Sequence, residues 1–125
     1  MDPVVHFEVP ADDTERAKAF YTTCFGWNAV SMPGMGYTLF HTTKTDEQGM
    51  VGTPGNINGG MFQRHEKVDR VVFTVAVEDL EASLRKVQDA GGAVVMGKDE
   101  VPGVGYVAYV KDTEGNLVGL IQPLR

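Results

Sequence analysis

The sequence predicts an α+β fold built as two tandem copies of one β-α-β-β-β module. Three observations carry that expectation. A strand-like run, an acidic cap and an amphipathic segment occur twice; three further strand-like runs follow each time; and the second copy lies 66 residues after the first. The shift pairs Phe7 with Phe73, Val9 with Val75, Asp13 with Asp79, Glu15 with Glu81 and Gly26 with Gly92. Those matches fall on the strand core, the helix cap, the first helical turn and the helix stop, which are the positions that define such a unit.

The first strand is expected over residues 4–9, ended by Pro10, Ala11, Asp12 and Asp13. Asp12 or Asp13 should cap a helix that begins at Thr14, because a short carboxylate accepts the otherwise unpaired N–H groups of a first turn. Ala17, Phe20, Tyr21 and Cys24 recur at three- and four-residue spacing and so share one helix face, and Gly26 is a suitable terminator. Strands are expected over 27–32, 36–43 and 60–64, divided by Pro33-Gly34, by the polar run 44–49, and by Pro54-Gly55 and Asn58-Gly59. Residues 65–70 are mostly charged and read as a short connector, which sets module one at 1–65 and module two at 70–125 of a single domain.

The second pass repeats the first. A strand over 71–77 leads to the acidic cap Glu78-Asp79 and a helix with Leu80, Leu84 and Val87 on one face, stopped at Gly91-Gly92. Strands follow at 93–98, 104–110 and 117–122, with turns at Pro102-Gly103 and across 112–116.

Composition narrows the function classes. A net charge of −6 with scattered Lys and Arg offers no basic stripe for a phosphate backbone, so nucleic acid is not an expected partner. There is no apolar run of membrane-spanning length and no signal-like N-terminus, so a cytoplasmic protein without a membrane partner is expected. The single cysteine, Cys24, cannot form an intrachain disulfide, and neither it nor any serine stands in a recognisable nucleophile setting.

The run from His6 through Pro10, Ala11, Asp12, Asp13, Thr14, Glu15 and Arg16 to Tyr21, closing with Phe25-Gly26-Trp27, resembles the opening module of the vicinal oxygen chelate superfamily. That superfamily includes glyoxalase I, extradiol dioxygenases and bleomycin resistance proteins. Val77-Glu78-Asp79-Leu80, Asp89-Ala90-Gly91-Gly92 and the stretch Asp112 to Asn116 look like its second module and late hairpin. The nearest likeness is to its glyoxalase-related predicted enzymes. The resemblance implies a cupped mixed sheet with the helices outside, a small molecule held in the cup, and a homodimer.

It also implies where a divalent ion would sit: one ligand from the first strand of each module and one from a late strand of each. His6 is the only matching position. Val72 stands at its partner, Gly119 where a carboxylate would be, and Gly60 or a neighbour at the late strand of module one. A lone imidazole holds a divalent ion weakly, so no cofactor is expected. A displaced metal site drawing on Glu8, His41, His65 or Gln122 stays open as the alternative.

Strand parity puts positions 4, 6 and 8 on one face with 72, 74 and 76, and positions 5, 7, 9, 71, 73 and 75 under the helices. His6 and Glu8 are therefore the candidate catalytic pair, and Val72, Thr74, Met61, Tyr109, Gly119 and Ile121 the candidate ligand-binding residues. Such a lining suits a small apolar or aromatic ligand. Three functions compete: a metal-free binding module; a lyase or dioxygenase-type enzyme using a displaced metal or acid-base chemistry at His6; and a structural dimer whose cup is filled by its own side chains.

Overall fold

The computed structural model describes residues 1–124; the last residue of the expected module two, Arg125, lies outside them. Ten elements form in the predicted order. Module one comprises β1 (Val4–Ala11), α1 (Thr14–Phe25), β2 (Asn28–Met32), β3 (Tyr37–His41) and β4 (Asn58–Gln63). Module two comprises β5 (Val72–Ala76), α2 (Leu80–Asp89), β6 (Ala93–Val101), β7 (Gly105–Lys111) and β8 (Leu117–Pro123). The α+β class and the doubled β-α-β-β-β order are those expected.

The chain divides into two compact units, His6–Val71 and Val72 onward, the second taking in Met1–Val5. In that second unit the Ala76 N–H donates to the Pro3 carbonyl at 2.9 Å, which ties the N-terminal residues to β5.

Each unit carries a four-stranded mixed sheet of the same design, in the order β2-β3-β4-β1 and β6-β7-β8-β5. The first and fourth strands of each module run parallel, and the remaining pairs are antiparallel. A parallel neighbour needs a long crossover. In each module α1 or α2 and the strands after it supply that length.

The helices begin where their caps dictate. Asp13, not Asp12, accepts the Arg16 N–H at 3.0 Å, and Asp79 accepts the Ala82 N–H at 3.0 Å. The first turn of α2 has a second partner, because Gln122 Oε1 accepts the Leu80 N–H at 2.8 Å. The helix ends differ more than the repeat suggests. Gly26 closes α1 in the left-handed region at φ 71°, but in module two the left-handed residue is Gly91, at φ 98°. Gly92, the repeat partner of Gly26, answers a different need, since a Cβ there would lie 2.5 Å from the Lys111 carbonyl oxygen.

Each helix covers its own sheet. In module one Val9, Ala11, Phe40 and Met61 form a buried cluster joined by Phe7, Ala17, Tyr21, Trp27 and Ala29. In module two Val77, Leu80, Leu84, Ala108, Val110 and Leu120 form its counterpart, joined by Val75, Val87 and Val118. Fully burying a side chain such as Leu80 contributes about 1.5–3 kcal/mol. Three residues expected under the helices are not: Val5 is 39%, Val71 65% and Phe73 46% exposed. For the two in module two the cause is placement, for α2 packs over β6, β7 and β8 and leaves the start of β5 uncovered.

One turn expected from sequence is a strand. Asn58-Gly59 opens β4, paired in parallel with His6 and Phe7. Asn58 accepts the Thr42 N–H and donates to the Thr45 hydroxyl, holding the chain extended as it enters the sheet. Gly59 is demanded by its neighbour, because a Cβ there would lie 2.3 Å from Phe7 Cζ.

Candidate functional site

The site is built from the alternation of strands. With Phe7, Val9 and Ala11 packed in the core with the α1 residues Ala17 and Tyr21, His6 and Glu8 must point from the opposite face of β1. Phe40 fixes β3 in the same way and sends Tyr37, Leu39 and His41 to that face, while Met61 sends Asn58, Gly60 and Phe62 there from β4. Register brings them together: Glu8 lies opposite Gly60, which in turn lies opposite Leu39, and Tyr37 opposite Phe62.

Across this face His6 Nε2 and Tyr37 Oη are 2.9 Å apart, one donating to the other according to the imidazole tautomer. The contact spans β4 and is made over Gly60. A Cβ at that glycine would lie 1.8 Å from Tyr37 Oη and 2.1 Å from its Cζ, so the phenol ring rests on bare backbone. Glu8 beside it is buried, at 8% exposure. Burial lowers the His6 pKa below its ordinary value, because desolvation disfavours imidazolium; the Glu8 charge opposes that shift and is the smaller influence. The imidazole is accordingly neutral near pH 7, able to accept a proton or a hydrogen bond.

Module two has a matching face. Val75 and Val118 pack toward α2, as do Leu120, Ala108 and Val110, so Val72, Thr74, Tyr109, Gly119 and Ile121 share the side away from the helix. Thr74 pairs with Gly119 and Tyr109 with Gly119 from the other side. A Cβ at Gly119 would lie 2.8 Å from Thr74 Oγ1 and 3.4 Å from Val72 Cγ1.

Met61 departs from the expected ligand-binding set. It is 1% exposed and packs with Val9, Ala11 and Phe40 on the helix side, because β4 begins at Asn58 and its odd positions turn inward. Tyr106 also packs toward α2, with Lys98 Nζ 4.3 Å from its ring centroid. The partner role of Tyr37 was not legible, since nothing local in the sequence links positions 31 residues apart. Alternation within β3 and an aromatic opposite a glycine were the only signals available.

The donor set does not fit the four-ligand divalent ion of the superfamily. Val72, Gly60 and Gly119 offer no donor side chain, and among the described residues no three His, Cys, Asp or Glu side chains come together. Nor does the displaced alternative assemble. Gln122 caps α2, and His65 Nδ1 accepts the Lys67 N–H on the exposed connector. His41 shares the face of His6 but sits at the far edge, opposite Asn28.

Comparison with known proteins agrees with this architecture. Residues 4–43 match the family model of the bleomycin resistance protein-like N-terminal region. The chain is 31% identical to a glyoxylase-like domain-containing protein of Didymella fabae, over 87% of its own length and 84% of that protein. It is 33% identical to the anthracycline biosynthesis protein DnrV of Streptomyces peucetius, again over 87% of the chain but spanning only 42% of the relative. Among solved structures, a glyoxalase/bleomycin resistance protein/dioxygenase superfamily member from Vibrio splendidus 12B01 superposes with a TM-score of 0.63 at 14% identity, covering 99% of this chain and 100% of that one. The fold and its doubled sheet are those of the glyoxalase-like proteins. This chain belongs to the glyoxalase/bleomycin resistance/dioxygenase group, the vicinal oxygen chelate superfamily. No helix among the described residues is long and apolar enough to cross a membrane.

Proposed function

We propose that this protein binds a small, largely apolar or aromatic molecule on the helix-free face of its sheet, without the four-ligand metal site of its superfamily. The observation that carries the reading is the hydrogen bond between His6 and Tyr37, a polar anchor on a face where Leu39 and Phe62 are the apolar members beside Glu8, His41 and Asn58. A neutral imidazole paired with a phenol can orient an oxygen- or nitrogen-bearing ligand, and the apolar neighbours supply the contact area that holds it. Val72, Thr74, Tyr109, Gly119 and Ile121 offer a second lining of similar character in module two. The place of one relative in anthracycline biosynthesis favours an aromatic compound.

The test is a thermal-shift and calorimetric screen of aromatic compounds, polycyclic quinones and simple phenols included, with wild type and with His6→Gln and Tyr37→Phe. A ligand at a hundred times its Kd stabilises by about 2.7 kcal/mol, well within reach of the method. At least one compound should bind wild type and bind the variants more weakly. If none binds, or if binding ignores both variants, the reading fails.

The lowered His6 pKa favours a second reading, a lyase-type enzyme in which the neutral imidazole takes a proton from bound substrate. Turnover of a glyoxal- or hydroxy-aromatic substrate, lost in His6→Gln with ligand affinity retained, would select it.

A further inference from the structure

The lack of a metal donor set has two layers. The first is composition, since Gly60 and its counterparts bring no donor. The second is steric. Glu8 and His6 point from one face of β1, and Gly60 is the residue directly opposite Glu8 on β4, so a side chain at position 60 would complete three donors within module one alone. Tyr37 fills that position from the neighbouring strand: its hydroxyl lies where a Cβ of residue 60 would start, and its partner is the very nitrogen, His6 Nε2, that points along the face.

We propose that Tyr37 is the residue that determines metal exclusion, its hydroxyl taking the place of an ion at His6 while its ring occupies the volume a third ligand would need. Divalent binding requires several N or O donors at about 2.0–2.2 Å around an open centre. A phenol resting on Gly60 closes that centre and engages the imidazole at hydrogen-bond distance instead. The exclusion is thus a property of the Tyr37 and Gly60 pair. It is independent of what organic molecule the protein binds, although it deepens the metal-free reading.

The experiment uses Co(II) alone, whose visible absorption reports inner-sphere coordination, titrated into the full chain prepared without a histidine tag, with calorimetry in parallel. Wild type should show no Co(II) binding that depends on His6. Tyr37→Ala, which clears the face, should bind Co(II) at least about tenfold more tightly than wild type, a gain lost on adding His6→Gln. Tyr37→Ala combined with Gly60→Glu should bind one equivalent and develop a visible spectrum. Tyr37→Phe, which keeps the ring, should remain like wild type. Circular dichroism establishes that each variant is folded. Stoichiometric, His6-dependent binding by wild type overturns the proposal without any variant. Folded Tyr37→Ala that binds no better than wild type overturns it as well. Failure of the aromatic-ligand screen would leave all these outcomes unchanged, so the two readings fall separately.

Discussion

Replacing Gly60 with alanine should destabilise the protein through one side chain, and the size of the effect follows from the geometry. Gly60 does not adopt a positive φ, so alanine is compatible with its backbone, and by itself the change would stabilise by about 0.4–1 kcal/mol through the unfolded chain. Against this, the new methyl would start 1.8 Å from Tyr37 Oη and 2.4 Å from its Cε1, far inside van der Waals contact. Overpacking of this kind costs about 1–3 kcal/mol. Moving the ring away also breaks the bond to His6, for about another 1 kcal/mol. The steric term wins, leaving a net loss of roughly 1–3.5 kcal/mol, which lowers Tm by roughly 5–15 °C at this chain length. Urea and thermal unfolding of Gly60→Ala, of Tyr37→Ala and of the double variant measure it. In the Tyr37→Ala background the penalty should vanish or reverse sign, since the three atoms nearest the new methyl all belong to Tyr37. Equal penalties in the two backgrounds would refute the argument that the ring lies on Gly60.

Two further outcomes follow from the same structure. The folded-state pKa of His6 lies below 6.5 because burial disfavours the cation, so the unfolded chain takes up this proton at higher pH than the folded chain. The associated stability is complete above pH 6.5 and is lost as pH falls through the lowered folded value. Urea midpoints of wild type should therefore drop on acidification through that window more than those of His6→Gln, and parallel curves would remove burial as the cause. The caps give the other: Asp13→Ala and Asp79→Ala should each cost about 1 kcal/mol, read from denaturant midpoints, because each removes an acceptor of a first-turn N–H. A variant with no loss would mean that water serves that donor equally well.

Much of the candidate site was legible. Parity along β1, carried across by the repeat and the late hairpin, was enough to place His6 and Glu8 on one face and Val72, Thr74, Gly119 and Ile121 on the corresponding face of module two. The exception is β4, where Met61 is expected among the ligand-binding residues and instead packs on the helix side. Side chains alternate with period two, and only the observed entry at Asn58, with Met61 packed against Val9, decides which way that strand faces.

What the sequence alone determined is carried by interactions a few residues long. The capping carboxylates, the helix stops and the alternation of β1 and β5 involve groups that chain connectivity already holds together, so their chemistry can be read in order. The tertiary structure decided what depends on strands that only folding makes neighbours. Gly59 is needed because Phe7 lies over it, Gly60 because Tyr37 does, and His6 finds its partner 31 residues away across an intervening strand. Register sets these contacts, and register is a property of the whole sheet. The same His6 that marks the superfamily in the sequence is, in the fold, bonded to a phenol.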